Sequence, residues 1–299
     1  MNPQKLKHIV RLALTEDIGK KDITTETIVG DVKVKAVIIS KNEGVIAGLD
    51  IAKTAFQIVS KNIKFRKLVK DGDKVRKNQI LAILEGEAKK ILTAERTALN
   101  FLSHLSGIST LTSKYAKQVE PYGCKILDTR KTTPLLREME KYAVKTGGGH
   151  NHRMGLYDMV LIKDNHLKLI KQTEIIKLIE SVRRKIPKNT KIEIEVETLD
   201  ELKNVYDCKA DIIMLDNMNP AKLKKAVEWI KKQKKSKKPL LEASGNVNLL
   251  NVKEIAKTGV DFISIGEITH SAPALDISLE IINIKSEIRI SKYETNSKL

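Results

Sequence analysis

The chain has 299 residues, 41% hydrophobic and 31% charged, enough for two domains that each bury a core; this excludes a peptide or a disulfide-stapled miniprotein. Lys and Arg number 55 against 37 Asp and Glu, and the resulting +18 attracts phosphates, nucleic acid or anionic small molecules without choosing among them. Two cysteines are too few for a disulfide framework, and no apolar run approaches the roughly 20 residues of a membrane span, so a reducing cytoplasm is the expected setting.

The amino terminus is an amphipathic helix pattern interrupted by Lys7, His8 and Arg11, which lacks the continuous apolar region of a secretory signal. From Val32 to about Glu87, short β-like runs (VKVKAVIIS, GVIAGL, KFRKLV, QILAILEG) alternate with Gly, Asp and Asn turns around one predicted helix near Asp50 to Lys61. The stretch VKDGDKVRKNQILAILEG reads as a structural hairpin. From Thr93 a helical spacing of Ala98, Leu99, Phe101, Leu102, Leu105 and Ile108 continues beyond a break at Gly107 and bridges to a second region.

In that second region, apolar runs (CKILD, DMVLI, KIEIEVE, DIIML, PLLEAS, DFISIG) alternate with helical stretches, the pattern of right-handed βαβ units and a parallel sheet. The terminal polar residues Asp128, Lys163, Glu195, Asp216, Ser244 and Gly266 fall at βαβ intervals, and six units are fewer than a complete barrel requires. In KIEIEVE, Ile192, Ile194 and Val196 oppose Glu193, Glu195 and Glu197; helices outside the barrel would turn the carboxylates inward, toward cations, metal or substrate hydroxyls. The basic run Lys231 to Lys238 reads as a frayed helix end and solvated loop. Aromatics at 4% offer few stacking platforms for nucleic acid, which is not expected as a partner.

Three segments carry unusual chemistry. In LDTRKTTPLLR, Thr129, Arg130 and Lys131 follow a strand, and two adjacent cations on a strand-end loop form an anion site. In KTGGGHNHRMGLYDMVLIKDNH, three glycines permit a backbone curl before His150, His152 and Arg153; this is not a P-loop. A metal site from His150, His152, Asp164 and His166 has suitable ligand types, but Arg153 and Lys163 among them oppose a divalent ion and suit a substrate with several carboxylates. In EASGNV and ISIGEITHS, Ser244 and Gly245 before a helix near Asn248, then Gly266 before Thr269, His270 and Ser271, read as a phosphate cradle.

TRKTTP, TGGGHNHR, LIKDNH, EVE, LDN, EASG and SIGEITHS, together with DITTE and TAERTALNFL, resemble in order and spacing the quinolinate phosphoribosyltransferase family over nearly the whole chain. The resemblance implies an α/β fold: an open, incomplete α/β barrel over 107–274 and an N-terminal α/β sandwich domain over 1–106, completed by the C-terminal segment 275–299 and its helix. It implies transfer of phosphoribose from phosphoribosyl pyrophosphate (PRPP) to quinolinate with decarboxylation, giving nicotinate mononucleotide for NAD synthesis. The implied assembly is a homodimer, or a hexamer built of dimers, with shared active sites. Quinolinate would meet Thr129, Arg130, His152, Arg153 and Lys163, with Arg96 reaching in from the neighbouring subunit. PRPP would meet Lys131, Glu195, Asp216, Ser244, Gly245, Ser264, Gly266 and His270, with Mg²⁺ on Glu195 and Asp216 directly or through water. Lys131, Lys163, Glu195 and Asp216 are the implied catalytic residues, Lys163 stabilising charge at the carbon that loses carbon dioxide. Asn246 stands where the family usually has a second glycine, Glu267 where a small residue is common, and Lys20 and Lys21 precede DITT.

Overall fold

The computed structural model describes residues 2–169, 175–234 and 238–282. Its contacts divide the chain into two units: one runs to Thr110 and resumes at Ala272, and the other is Leu111–Ser271.

The first unit begins with α1 (Pro3–Ile18), where the Asn2 side chain accepts from the amides of Gln4 and Lys5, and α2 (Ile23–Ile28), capped by Asp22. Then come β1 (Lys33–Ser40), β2 (Gly44–Val45), α3 (Leu49–Val59), β3 (Lys64–Lys67), β4 (Lys74–Val75), β5 (Ile80–Glu87) and α4 (Ala88–Val119). After Ala272 the chain returns as β12 (Ile277–Ile281), and the antiparallel sheet has the order β12-β1-β5-β3. Val37, Ile80 and Ile83 form a buried cluster on it with Ile39, Leu68 and Ile282. Helix α3 buries Leu49, Ile51, Ala52, Ala55 and Phe56, each large side chain contributing about 1.5–3 kcal/mol on leaving water.

Three local expectations change here. The run read as one hairpin divides between two sheets, since Lys74–Val75 pairs with Gly44–Val45 while Ile80–Glu87 joins the larger sheet. Helix α4 starts at Ala88 and does not break at Gly107. A Cβ on Gly107 would lie 2.2 Å from the Pro273 carbonyl, so this glycine admits a returning strand of chain and does not end a helix. Of the expected C-terminal segment, β12 pairs with β1; the helix expected beyond it falls at 283–299, outside the described residues.

In the second unit the elements are β6 (Lys125–Leu127), α5 (Arg137–Thr146), β7 (Val160–Ile162), α6 (Asp164–Leu167), α7 (Ile175–Lys185), β8 (Ile192–Val196) and α8 (Leu199–Val205). They continue with β9 (Ile212–Asp216), α9 (Pro220–Lys232), β10 (Leu240–Ser244), α10 (Val252–Lys257), β11 (Phe262–Ser264) and α11 (Glu267–His270). All six strands read from the sequence are present in one parallel sheet of order β6-β11-β10-β9-β8-β7. Consecutive strands pair from β7 to β11, and β11 then pairs with β6; the opening of the barrel lies between β6 and β7. At that opening His150 makes a parallel bridge to Leu127. Lys231 and Lys232 end α9, whereas 235–237 of the basic run lie outside the described residues.

Strand β8 is buried on both faces. Ile192, Ile194 and Val196 occupy one side, and Glu193 and Glu195 the other; Glu197 lies past the strand end and is exposed. Across the sheet Glu195, Met214 and Glu242 stand in register, as do Asp216 and Ser244, so one pleat face carries a row of polar groups at the strand ends.

Candidate active site

A cavity of about 630 Å³ opens at those strand ends, wholly within the second unit. Its lining includes Thr129, Arg130, Lys131, His152, Arg153, Lys163, Glu195, Asp216, Ser244, Gly245, Ser264, Gly266 and His270, so the sequence-derived set converges on one place. Arg96 is the exception: it is an exposed residue of α4 in the first unit and does not line the cavity.

The loop after β6 is held by hydroxyls at both sides of Lys131. Thr129 Oγ1 accepts from the Lys131 amide at 3.0 Å, and Thr269 Oγ1 donates to the Lys131 carbonyl at 2.7 Å. The loop around Arg153 hangs from a buried ion pair. Lys141 donates to Asp128 and, at 3.1 Å, to the His152 carbonyl, while the His152 amide donates to Asp128 Oδ1 at 2.8 Å. Burial pushes Asp128 up and Lys141 down, and their mutual attraction opposes both shifts. Among the three glycines only Gly148 has a positive φ, +87°; a Cβ on Gly149 would meet Thr112 at 2.7 Å, so packing accounts for it. Arg153 donates to the Met159 carbonyl at 3.2 Å, and its guanidinium is lowered first by burial and next by Arg130. Lys163 Nζ stands 3.7 Å from Glu195 Oε2.

His152 lines the cavity and is also held by bonds within the chain. Its Nδ1 accepts from the Arg153 amide at 2.8 Å, which leaves the ring proton on Nε2, and Nε2 lies 2.9 Å from Glu193 Oε2. Both ring nitrogens are engaged within the chain, and burial lowers the imidazole pKa, so the ring is a neutral support under the cavity. Glu193 and Glu242 are fully buried beneath it. Burial raises Glu193 to about 7 and, with Glu193 beside it, Glu242 to about 8. The sequence pattern turns Glu193 inward but gives neither its contact with His152 nor a place for Glu242, because only tertiary contact brings these groups together.

His152, Glu193 and Glu242 are also close enough to hold a metal ion, in place of the His150, His152, Asp164 and His166 set considered from the sequence. The tautomer opposes it: a metal on Nε2, with Nδ1 accepting from a backbone amide, requires an imidazolate. His150 is exposed, and His166 Nδ1 accepts from the Lys163 amide at 2.9 Å, a local cap; the Asp164 side chain lies outside the described residues.

The expected cradle is built from turns, not from a long helix start. Helix α10 begins at Val252 and not near Asn248, and β11 ends at Ser264, with Gly266 capping the short α11. Gly245 has φ +89°, and a Cβ there would lie 2.1 Å from Asn217 Oδ1. At Gly266 a Cβ would crowd His270 and Lys131 at 3.0 Å each. Asn246 has φ 51°, a left-handed conformation that asparagine tolerates almost as glycine does, and its Nδ2 donates to Asn217 Oδ1 at 3.1 Å. Glu267 accepts from the buried Tyr115 hydroxyl at 2.5 Å. Among the described residues no helix is long and apolar enough to cross a membrane.

Profiles described as the N-terminal and C-terminal domains of quinolinate phosphoribosyl transferase match residues 22–106 and 108–280. The chain belongs to the quinolinate phosphoribosyltransferase family. A probable nicotinate-nucleotide pyrophosphorylase (carboxylating) of Bacillus subtilis is 38% identical over 281 residues, 94% of this chain and 95% of that one. The chloroplastic nicotinate-nucleotide pyrophosphorylase (carboxylating) of Arabidopsis thaliana is 43% identical, over 92% of this chain and 82% of its own. The solved nicotinate-nucleotide pyrophosphorylase of Francisella tularensis superposes with a TM-score of 0.88 at 41% identity, covering 94% of this chain and 98% of that one. Asn246, expected from the resemblance to stand in place of a glycine, takes a left-handed backbone, and Glu267 has a partner in Tyr115.

Proposed function

We propose that the chain joins quinolinate to PRPP, releasing carbon dioxide and pyrophosphate and leaving nicotinate mononucleotide. The observation that carries this reading is the convergence of Arg130, Lys131, Arg153 and Lys163 on one cavity that Glu195 and Asp216 also line. Four like charges gathered at one site repel unless an anion with several charges accompanies them, and a diacid beside a polyphosphate is such a load.

In this reading Arg130 and Arg153 grip the carboxylates of quinolinate as forks, and His152 holds Arg153 by its backbone amide. Lys163, paired with Glu195, stands where charge develops as the carboxylate at C2 departs. Lys131 neutralises the leaving pyrophosphate, and Gly245, Gly266 and the Ser244 and His270 side chains receive the 5′-phosphate. When the C2–carboxylate bond breaks, its electron pair stays on C2 as a carbanion stabilised by the adjacent cationic ring nitrogen formed on glycosidic bonding; carbon dioxide departs and a solvent proton bonds to C2 through that pair. Positioning and fixed charge supply the rate enhancement.

Glu195 and Asp216 form a carboxylate-only donor pair on the strand ends, without thiol or imidazole, which fits Mg²⁺. When bound there, Mg²⁺ neutralises diphosphate charge. The reading extends to a homodimer or a hexamer of dimers in which Arg96 serves the neighbour's site. It is supported by the exposure of Leu135 (75%), Leu156 (74%) and Tyr157 (81%), apolar side chains in the segments that carry the site cations. A cytoplasmic setting accords with the burial of Cys124 and Cys208.

Turnover of quinolinate and of nicotinate, each with and without PRPP, tests the reading. Quinolinate should be preferred by roughly 10⁴ or more, because nicotinate leaves one of the half-buried arginines Arg130 and Arg153 without its carboxylate. Comparable turnover of nicotinate, without carbon dioxide, contradicts it.

A further inference from the structure

We infer that Arg137, which does not line the cavity, is a positioning residue that sets the separation of the two arginines gripping the diacid. Its guanidinium bonds two loops at once. Nε donates to Thr132 Oγ1 at 2.9 Å and Nη2 to the Arg130 carbonyl at 3.3 Å, while Nη1 donates to the Met154 carbonyl at 3.1 Å. Arg130 lies on the first of these loops, and Arg153 immediately precedes Met154 on the second. All three acceptors are neutral, so the positive charge of Arg137 is not cancelled and adds to the potential of the cavity.

The need for such a tie follows from charge. Arg130 and Arg153 disfavour one another, as the lowering of the Arg153 guanidinium by Arg130 indicates. The loops have internal supports: the Met154 and Gly155 amides donate to Asp158 at 2.6 and 3.1 Å, and Thr129 and Thr269 hold Lys131. Those bonds shape each loop; the His152 amide and Lys141, both on Asp128, tie the two at the end of β6, and the three bonds from Arg137 tie them again beside Arg130 and Arg153. Arg137 is the first residue of α5, whose middle is pinned at the strand end by Lys141 to Asp128, so the tie is anchored to a rigid element. A planar fork can satisfy three divergent acceptors; a lysine ammonium on a flexible stem cannot do so in one plane.

The inference rests on the proposed activity, and the experiment separates the two. Wild-type protein must first turn over quinolinate; if it does not, the functional reading fails. Given that activity, Arg137→Lys should raise the quinolinate KM by about 10- to 100-fold, the range for losing hydrogen bonds from a charged donor, with the PRPP KM changed by less than about threefold. Added guanidinium ion should restore part of the quinolinate affinity of Arg137→Ala. Thr132→Val, which removes one acceptor without touching α5, should shift the quinolinate KM in the same direction by about 3- to 10-fold, and decides the matter if Arg137 variants do not fold. An unchanged quinolinate KM in Arg137→Lys, or an equal rise in both KM values, overturns the assignment; with no foldable Arg137 variant, an unchanged KM in Thr132→Val does so.

Discussion

Arg153 lies half-buried beside Arg130, with one guanidinium nitrogen spent on the Met159 carbonyl and the rest of the fork directed to the cavity lining. Arg153→Lys keeps the charge and loses the fork, so kcat/KM for quinolinate should fall by about 10- to 100-fold, measured by steady-state kinetics with PRPP saturating. Near-normal kinetics would remove Arg153 from the grip. A second prediction concerns Glu242, held up to about 8 in the folded chain against an ordinary 4.5. Between those values the folded state keeps a proton that the unfolded state has lost, so stability declines as pH rises through that window. Glu242→Gln removes the penalty. Its Tm advantage over wild type should be absent below pH 4.5 and grow to several degrees near pH 8, at roughly 2–4 °C per kcal/mol for a domain of this size. A difference that does not vary with pH would show that burial is not what perturbs the group. The cations were legible in the sequence because Arg and Lys on strand-end loops have few other uses. The inward face of Glu193 was legible too, but its contact with His152 and the place of Glu242 were not, because alternation gives a face and not the partner on it, and the His152 tautomer depends on a backbone amide that no motif encodes.

The six strands were readable from short apolar runs alternating with helical stretches, and right-handed βαβ connection orders β7 to β11; the pairing of β6 with β11, and not with β7, does not follow from it. Breaks and starts were less so. Gly107 looks like a helix stop in one dimension, yet it is an accommodation for Pro273, more than a hundred residues later in the chain. The helix after Gly245 is delayed to Val252 because Asn248 and Asn251 satisfy amides in the intervening turn. At this scale the buried Lys141–Asp128 pair is the joint between α5, β6 and the loop to Arg153. Lys141→Met strands a buried carboxylate, so chemical denaturation should show a loss of about 3–5 kcal/mol. A loss below about 1 kcal/mol, the range of an exposed pair, would mean that water reaches Asp128.

For the whole molecule, the proposal that Arg96 serves a neighbouring chain gives a test by complementation. Arg96→Ala and Lys131→Ala proteins, each inactive alone, should recover on subunit exchange the activity of those sites that draw both intact side chains. Absence of recovery where mixed dimers are shown to form would keep Arg96 out of a shared site. The excess of basic over acidic residues, +18, should make capture of both anionic substrates weaken with ionic strength, a broad effect distinct from the local grip. The central claim is that one rim of an open barrel clasps a diacid beside an activated sugar and expels one of its carboxylates. The direct measurement is release of labelled carbon dioxide from quinolinate labelled in the 2-carboxylate, followed together with pyrophosphate. The account predicts equal amounts of both products, strictly dependent on PRPP; pyrophosphate without carbon dioxide, or neither product from folded protein, would contradict it.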